Sequence, residues 1–414
     1  MATTIVRPDY RETVVVVGTS VRKHLPTLAA HLASLAAQDL PPRVRLVPVY
    51  VPDFAPDQQD AQALLFKWVN ERGGTLIQGL PQNGPDFSDA PHLPTHEWQP
   101  TAMARVGQNK NLIIQWALAN KADYLLFCDA DLILDATTVR SLLSCERPLV
   151  TATYWTHWQR SPHETAQPSA QPQVWLQHPY GLEGRGMDAA EFRGKLLSRE
   201  LTRVWGFGAC TLIQRKVLEA GVSFDYLPDV PQTGMMAGED RHFSIRCERL
   251  HIDAYADNWP DVFHIYHAAT DLPRVPAMAA RLLAPHPLRP RVGDLVSLRL
   301  RALEPVPVAP NRVSQAQSQY PRGRLGSLAL LPQIEDAVLG MERGQTCSVR
   351  VQFPTHYPVP FLRGRARLIE ITLIDCKGHH APPVVDEELH HLPNGGLVDP
   401  AVLTPPQQEM LTDG

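Results

Sequence analysis

The chain lacks the features that mark membrane, secreted or nucleic-acid-binding proteins. None of its apolar runs reaches the roughly 18 residues that a membrane-spanning helix requires. Residues 1–13 are charged and contain no apolar stretch, which argues against a signal peptide. The net charge is −4 and no basic run appears, so binding to nucleic acid through bulk charge is excluded. We therefore expect a soluble, cytoplasmic protein with no nucleic-acid partner and no membrane span.

Cysteine is also scarce and unpatterned. The six cysteines are scattered, and no pair forms Cys-x-x-Cys. A chain of 414 residues has no need of a disulfide framework, and this spacing offers no zinc site, so free and mostly buried thiols are expected. The length suggests two or three domains, and the 44% hydrophobic content is ordinary for a globular protein.

The first 275 residues show the element order of an α/β domain. Buried strands and helices alternate as βαβαβ, and after a Pro-rich loop a further helix and strand follow. This order predicts a doubly wound, Rossmann-like mixed sheet with right-handed crossovers. The strands would end at Thr19, Asp53 and Asp129. Ligands of such sheets bind beyond the carboxyl ends of the strands, so these three residues should line one crevice.

Asp129-Ala130-Asp131 is the most informative motif. It follows an apolar strand, Tyr124–Cys128, and places two carboxylates two residues apart where that strand ends. Such a pair is costly unless a cation or hydrogen bonds neutralise it. Mg²⁺ or Mn²⁺ prefers carboxylate oxygens, and substrate phosphates would complete its shell. The alternative is that the motif starts a solvated turn or caps a helix at Ala136–Leu143.

Three later motifs appear in a characteristic order. They are Trp205-Gly206-Phe207, Gly238-Glu239-Asp240 and His264-Ile265-Tyr266-His267. Together with Asp129-Ala130-Asp131, they make residues 10–270 resemble the GT-A-fold glycosyltransferases of the inverting, family-2 type. The resemblance implies an enzyme that transfers a sugar from a nucleotide-sugar donor, with a metal ion (Mn²⁺ or Mg²⁺) at the diphosphate.

The resemblance also implies a metal site and a nucleotide site. Asp131 would bind the metal, and Asp129 would contact the ribose or reach the metal through water. His264 or His267 would add a nitrogen ligand; His264 is preferred because it follows a strand-like segment, although either could be an ordinary structural histidine. Nucleotide contacts would come from four further residues: Thr19, Asp53, Lys110 and Asn111. Asp53 could instead be a turn residue, and Lys110 could be a solvated surface lysine.

Catalysis and acceptor binding would fall to the two remaining motifs. Asp240 would be the general base, and Glu239 would support it or bind the acceptor. Asp240 could instead do no more than cap the helix predicted at Asp240–Arg249. Trp205, Gly206 and Phe207 would line the acceptor and donor-sugar pocket, where aromatic faces pack on sugar C–H groups, and the alternative is core packing.

A second pattern begins after a Pro-rich linker at residues 276–290. Residues 291–378 contain an alternating strand, a short helix at Leu330–Met341 and a final strand at Ala366–Ile374, and residues 379–414 form a Pro- and Gly-rich tail that we expect to be flexible. This smaller α+β domain resembles the FKBP type, and most of all the peptidyl-prolyl isomerase domain of trigger factor.

The FKBP resemblance implies an apolar pocket for peptide. Its lining would be Leu300, Leu331, Ile334, Tyr357 and Ile369. Tyr357 matches the pocket tyrosine of the family, but the other positions are aliphatic where active isomerases usually carry aromatic residues. The segment Pro305–Gln319 also lacks the Phe-Asp signature of that family. Peptide binding therefore remains an expectation, isomerase activity is in doubt, and a purely bracing domain is the alternative.

The combined hypothesis is a metal-dependent, inverting glycosyltransferase that uses a UDP-sugar and acts on a polypeptide. A transferase for a cell-surface glycan is the first rival. A peptide-binding chaperone with an inactive transferase domain is the second. A nucleotidyltransferase is disfavoured, because the expected Gly-rich pyrophosphate loop is missing near the N-terminus.

Overall fold

A computed structural model describes most of the chain. The described residues are 11–79, 100–158, 169–175, 189–197, 199, 201–231, 238–303, 306–309, 312–314, 319–327, 329–357 and 362–378. The predicted C-terminal tail, 379–414, lies outside them. Within these ranges no helix combines the length and apolar character needed to cross a bilayer. All six cysteines are free and five are buried, as predicted.

Strands and helices alternate through the first two thirds of the described chain. The strands are β1 (Thr13–Gly18), β2 (Ser20–Val21), β3 (Val44–Pro52), β4 (Thr75–Leu76), β5 (Tyr124–Cys128), β6 (Leu132–Leu134), β7 (Leu149–Ala152), β8 (Trp155–Trp158), β9 (Ser169–Pro172), β10 (Val174–Trp175), β11 (Leu201–Val204), β12 (Gly206–Phe207), β13 (Cys210–Gln214), β14 (Ala254–Asp257), β15 (Val262–His264), β16 (Leu295–Ala302), β17 (Val306–Ala309), β18 (Arg312–Ser314), β19 (Arg322–Arg324), β20 (Thr346–Gln352) and β21 (Ala366–Lys377). The helices are α1 (Leu25–Ala36), α2 (Gln59–Glu71), α3 (Pro100–Ala119), α4 (Thr138–Ser144), α5 (Ala189–Leu197), α6 (Arg215–Glu219), α7 (Glu239–Arg249), α8 (Ala268–Asp271), α9 (Val275–Leu282) and α10 (Pro332–Leu339), with a 3-10 helix at Leu272–Arg274.

A nine-stranded, mostly parallel sheet forms the centre of the molecule. Its order is β11-β14-β7-β13-β5-β1-β3-β2, and β4 also pairs with β3. β1 lies between β3 and β5 and is parallel to both. β13 runs antiparallel between β5 and β7. The predicted α/β class and doubly wound, mixed sheet are therefore present, and the carboxyl ends of β1, β3 and β5 share one edge.

Both faces of this sheet are covered by apolar side chains. Val15 and Val17 face one hydrophobic cluster, and Val14 and Val16 face the other. Successive strand residues point to opposite faces, so a continuous run of valines is what a strand buried on both faces requires. This is why the run Val14–Val17 predicts a buried strand.

The C-terminal unit is a separate antiparallel sheet. Its four strands are ordered β19-β16-β21-β20, and α10 packs on β20 and β21. The five residues predicted to line a peptide pocket belong to one apolar cluster: Ile334 and Ile369 are buried in it, and Leu300, Leu331 and Tyr357 are half-buried against it. The last strand extends to Lys377, three residues beyond the predicted end at Ile374, because polar side chains at 375 and 377 are buried against the first unit.

The segment predicted as a linker is largely helical at its start. α9 spans Val275–Leu282 and buries Met278 and Leu282 against Phe263. The proline content suggested a linker, but Pro276 occupies the first turn of α9. A missing backbone N–H costs little in a first turn, since that group has no helical partner there.

A buried polar cluster joins the two units. Asp375 and Lys377 at the end of β21 reach the first unit, and His286 lies between them and Asp135. His286 Nδ1 is 2.7 Å from Asp375 Oδ2, and its Nε2 is 3.3 Å from Asp135 Oδ1. Burial alone would lower the pKa of His286, but hydrogen bonds to Asp135 and Asp375 raise it to about 9. His286 is therefore protonated at neutral pH, and the imidazolium contacts both carboxylates.

This cluster predicts that stability falls as the pH rises. Because the pKa of His286 is raised in the folded state, its contribution is complete below about pH 6.5, the unfolded value, and is lost as the pH passes about 9. We expect His286→Gln to remove on the order of 3 kcal/mol of unfolding free energy at pH 6 and little at pH 10. Urea unfolding across this range measures the difference. His356→Gln, at an exposed position, is the control, and an equal loss at both pH values would contradict the assignment.

Candidate active site

The edge shared by β1 and β5 brings two predicted residues into contact. The hydroxyl of Thr19 donates a 2.9 Å hydrogen bond to Asp129 Oδ1. The backbone N–H of Asp129 donates to the carbonyl of Ala209, just before the antiparallel strand β13. Burial and the charge of Asp131 raise the pKa of Asp129 against the opposing pull of Lys110. The end of β5 is thus a place where negative charge accumulates.

Asp131 is buried and lies between two nitrogen groups. Lys23 Nζ is 2.7 Å from its Oδ2, and His264 Nε2 is 3.6 Å from the same oxygen. Burial alone would raise the pKa of Asp131, but Lys23 and His264 hold it well below the usual range. Its second oxygen, Oδ1, is buried without a hydrogen-bond partner among the described residues. The other ring nitrogen of His264 is 2.8 Å from the hydroxyl of Thr156, which orients the imidazole.

Lys110 connects the Asp129 motif with the Glu239 motif. Its ammonium is 2.9 Å from Glu239 Oε1 and 3.8 Å from Asp129 Oδ1, and only 3% of the residue is exposed. Burial alone would lower the pKa of Lys110, but Asp129 and Glu239 raise it above the usual value. Gly107 allows this approach, because a Cβ there would lie 3.1 Å from Glu239 Cβ. The alternative, that Lys110 is a solvated surface lysine, is therefore wrong, and its contact with nucleotide phosphate stays a prediction.

Asp240 is the second residue of helix α7, which begins at Glu239 and has Gly238 as its N-cap, and the charge of Asp240 contributes to the raised pKa of Lys110. Its Oδ1 accepts a 2.8 Å hydrogen bond from the backbone N–H of Arg241. Burial and the charges of Asp129, Asp131 and Asp240 together raise the pKa of the Tyr154 hydroxyl well above its usual value. Tyr154 is therefore near both carboxylate motifs. Asp129 and Asp240, which are about 110 positions apart in the sequence, lie around one crevice.

The wall beside β3 contains the predicted nucleotide residue Asp53. Arg105 forms a 3.1 Å ion pair with Asp53 Oδ2, and four residues later Asn109 donates to the hydroxyl of Ser20. Asn111 lies on another side of α3. Its amide nitrogen donates to Asp225 Oδ1, and its amide oxygen accepts the backbone N–H of Phe224. The nucleotide roles of Asp53 and Asn111 stay predictions; the structure adds Arg105 and Asn109 to the same wall.

The predicted acceptor residues are mainly internal. Trp205 and Phe207 are 5% and 3% exposed, and the indole N–H of Trp205 donates to Glu248. Gly206 is required because a Cβ there would lie 1.7 Å from the indole nitrogen of Trp175, its partner across the β10–β12 pair. The rings thus fill the core, and their contact with substrate stays a prediction. Trp175, a half-buried residue, is the aromatic side chain that Gly206 admits.

Arg241 lies over this tryptophan, directly beside Asp240 in the sequence. Its guanidinium carbon is 3.7 Å from the centroid of Trp175, and burial lowers the pKa of Arg241 despite the nearby charge of Asp240. Stacking on an aromatic ring leaves the in-plane N–H donors of a guanidinium directed sideways. Arg241 can therefore donate hydrogen bonds to a ligand next to the candidate base.

The side chains at Asp131 suit a hard divalent cation. Within the described ranges, no three His, Cys, Asp or Glu side chains are grouped tightly enough to hold a metal by themselves. The buried, unpaired Oδ1 of Asp131 and the nearby Nε2 of His264 form a partial ligand set that substrate oxygens could complete. His267 follows on the same segment, where its backbone N–H donates to Asp271 and its ring packs on Tyr266, and its metal role stays a prediction.

Five residues of the site were not predicted from the sequence: Lys23, Arg105, Asn109, Trp175 and Arg241. Arg105 and Asn109 had a detectable signal, since positions i and i+4 lie on one face of a helix. Lys23 follows the first strand by five residues, and nothing in its neighbourhood indicates that it reaches Asp131.

Comparisons with known proteins add little to this geometry. No protein-family model matches the chain. A stretch of 63 residues is 35% identical to trigger factor from Saccharophagus degradans, which covers 15% of this chain and 14% of that protein. The chain therefore matches only about a seventh of that relative, and no family membership is shown.

Structural likenesses are distant. S. aureus TarS is 13% identical with a TM-score of 0.34, covering 59% of this chain and 35% of that one. TarS 1–349 in complex with UDP is 14% identical with a TM-score of 0.33, covering 59% and 57%. The mannosyltransferase PcManGT from Pyrobaculum calidifontis, in complex with GDP-Man and Mn²⁺, is 15% identical with a TM-score of 0.33, covering 60% and 55%. Likenesses at this level carry no argument about the function of this chain.

Proposed function

We propose that the protein is a metal-dependent glycosyltransferase that uses a nucleotide-sugar donor, with a UDP-sugar as the first expectation. One observation carries this proposal: the Asp129–Asp131 pair ends a central strand of a mostly parallel sheet, and the Lys110–Glu239 ion pair links it to the motif that contains Asp240. Such an edge is where open α/β sheets bind nucleotides. A diphosphate leaving group and an acceptor hydroxyl need these two kinds of group side by side.

The donor side follows from charge. A divalent cation held by Asp131 and His264 would neutralise the leaving diphosphate as a Lewis acid. Asp129, hydrogen-bonded by Thr19, would accept a ribose hydroxyl or a metal-bound water. Lys23, Arg105 and Lys110 place three cationic groups around this edge, where phosphate oxygens can pair with them.

The acceptor side follows from Asp240. As general base, its carboxylate would take the proton of the acceptor hydroxyl while the acceptor oxygen bonds to the anomeric carbon. The bond from that carbon to the diphosphate oxygen breaks at the same time, so one displacement inverts the anomeric configuration. Glu239 is held by Lys110 and would support the loop-to-helix entry that places Asp240.

Nucleotide release tests the proposed reaction. Purified protein with Mn²⁺ would be incubated with a panel of nucleotide sugars, and released nucleotide would be followed by mass spectrometry. Release from one donor, stopped by EDTA, would establish a transferase and identify its sugar. No release from any donor, together with no thermal shift by UDP and Mn²⁺, would overturn the proposal and favour a peptide-binding protein with an inactive transferase domain.

Arg241 is expected to bind the acceptor. Its guanidinium is stacked on Trp175 beside the candidate base, with N–H donors free of any carboxylate hydrogen bond among the described residues. Arg241→Gln should lower kcat/KM for the acceptor about tenfold, through loss of charge-assisted hydrogen bonds, and leave donor KM unchanged. Steady-state kinetics with each substrate varied in turn measures this. Arg249→Gln, at the exposed end of the same helix, is the control; a change confined to donor KM would contradict the assignment.

The acceptor class is proposed to be a polypeptide. Leu300, Leu331 and Tyr357 are half-buried and pack against the apolar cluster of the second unit. Such a surface could hold an extended apolar or proline-containing segment. Transfer assays with peptides, free sugars and lipid-linked glycans separate this proposal from the cell-surface-glycan alternative. Transfer to glycans or lipids, and never to peptide, would show that the second unit does not present a polypeptide acceptor.

A further inference from the structure

A short ribbon connects the candidate metal site to the interface between the units. β6 and β15 pair antiparallel, with Leu132 opposite His264 and Leu134 opposite Val262. Asp131 and His264 therefore lie at one end of the ribbon. Asp135 and Asp261 lie at the other end. At the rise per residue of a β-strand, the three steps from His264 to Asp261 span about 10 Å.

The far end of the ribbon is held by one residue of the second unit. Lys377 Nζ is 3.0 Å from Asp135 Oδ2 and 3.0 Å from Asp261 Oδ2. The two carboxylates belong to different strands, so the ammonium joins the strands by their side chains. Arg199 also pairs with Asp261, and His286 with Asp135. Without Lys377, each carboxylate would keep one cationic partner of its own, but no cation would bridge the two, and their mutual repulsion in a buried place would be less compensated.

A β-bulge directs Lys377 toward the first unit. Leu298 pairs with Leu373, but the preceding residue, Ser297, pairs with Asp375, so Ile374 is the extra residue in β21. Before the bulge, the odd-numbered residues Ile371 and Leu373 face the core of the second unit. After it, Cys376 faces that core, and Lys377 is turned away from it. Bulges commonly redirect side chains in this way.

The ribbon between the two ends is rigid enough to couple them. Leu132, Ile133 and Leu134 are fully buried, and Phe263 is 2% exposed. Backbone hydrogen bonds close it at both ends, from Ile265 to Asp131 and from Asp135 to Asp261. In a close-packed interior, a change in strand separation at one end cannot be absorbed by empty space along the ribbon.

We infer that Lys377 is a positioning residue for the metal site: by bridging Asp135 and Asp261 it adds a side-chain contact to the backbone hydrogen bond at that end, and so helps to hold the separation of β6 and β15 on which the separation of Asp131 and His264 depends. This inference rests on the proposed function for its chemical meaning, since Asp131 and His264 are assigned to the metal there. The second unit is then a part of the transferase site that acts from a distance. Its contribution to donor binding is independent of any peptide that it holds.

The test compares two interface variants in the full-length protein. Lys377→Met removes the clamp, and Arg299→Gln breaks another ion pair between the units, to Glu146, that does not touch the ribbon. Binding of Mn²⁺ with UDP is measured by calorimetry, and the ring signal of His264 is followed by NMR in metal-free protein. We expect Lys377→Met to weaken Mn²⁺–UDP binding about tenfold and to move the His264 signal, as loss of an outer positioning contact does. Arg299→Gln should change neither, and Lys377→Arg should restore most of the affinity.

The outcomes separate the inference from the proposed function. Wild-type affinity and an unmoved His264 signal in folded Lys377→Met would overturn the inference. A moved signal in a protein that never binds Mn²⁺–UDP would support the coupling and overturn the proposed function. If Lys377→Met does not fold, Asp261→Asn removes one of the two carboxylates that Lys377 joins. A smaller loss of affinity, about threefold, is then expected, and unchanged affinity would count against the clamp.

Discussion

Asp240→Asn is expected to lower kcat by about a thousandfold or more while leaving Mn²⁺–UDP affinity unchanged. A positioned general base contributes roughly 10²–10⁴ to rate, and asparagine has the same shape but cannot accept the proton. The donor side is built from other elements, the ends of β1 and β5, so ground-state binding of the nucleotide should persist. Rapid-quench kinetics with the identified donor and acceptor, alongside calorimetry with UDP, would measure the two quantities separately.

Asparagine also separates catalysis from a structural role in the helix. Gly238 is the N-cap of α7 and no side chain caps this helix, so the capping alternative for Asp240 is wrong. Asp240 Oδ1 accepts the backbone N–H of Arg241 in the first turn, and an asparagine oxygen can do the same. If Asp240 only steadied the first turn, Asp240→Asn would retain kcat, whereas Asp240→Ala would cost about 0.5 kcal/mol of stability, through loss of a carboxylate near the helix N-terminus. Asp253→Asn, at an exposed position, controls for loss of a surface carboxylate. A retained kcat in Asp240→Asn would assign the base role to another group.

The central sheet could be predicted because its signals are local. The valine run of β1 and the apolar strand before Asp129 are both short, buried stretches that end in polar residues. Parallel strands meet at one edge, so the contact between Thr19 and Asp129 follows from strand order alone. The pairing of Asp131 with His264 was likewise indicated by motif order. The buried strands, the Thr19–Asp129 contact and the order of the motifs depend on hydrophobic periodicity and on the order of elements, and both can be read from a sequence.

The remainder of the site depends on contacts that no periodicity encodes. Lys23 reaches Asp131 from a loop, and Trp175 reaches Gly206 through a two-residue strand pair. The glycine was interpreted as a substrate contact, but the structure shows that it makes room for an indole. Sequence alone cannot distinguish these cases, because both require a residue without a side chain. Aromatic residues beside it were similarly assigned to substrate although Trp205 and Phe207 pack in the core.

The docking of the second unit was also beyond prediction. The sequence predicts a final strand that ends at Ile374, just before the polar residues Asp375 and Lys377. Their burial is stable only because charges of the first unit, among them Asp135 and Asp261, compensate them. A buried ion pair between distant segments leaves no local pattern. The same ion pairs hold the second unit against the first, which the inferred role of Lys377 requires.

Asp131→Asn is expected to abolish transfer, with a loss of a thousandfold or more, and to weaken Mn²⁺–UDP binding by at least about a hundredfold. The substitution removes the carboxylate whose buried Oδ1 has no other described partner. The metal ion that this carboxylate would hold supplies several kcal/mol of stabilisation to the charge that develops on the leaving diphosphate. An amide is a poor substitute for a carboxylate as a ligand of a hard divalent cation. Calorimetry and EDTA-sensitive nucleotide release measure the two effects. The control is Asp39→Asn, at a carboxylate that pairs with Arg343 of the second unit.

Lys23 offers the decisive contrast, because its ammonium is 2.7 Å from the Asp131 oxygen and could itself serve as the cation that faces the diphosphate. If the metal does that work, Lys23→Met should cost no more than about tenfold, since one phosphate contact is lost and Asp131 is freed for the metal. EDTA should then stop both the wild-type and the Lys23→Met protein. If Lys23 does it instead, EDTA should have no effect, and Lys23→Met should be as inactive as Asp131→Asn. The pair of variants therefore decides between a metal-dependent and a lysine-dependent transferase, because the two cations compete for the same carboxylate.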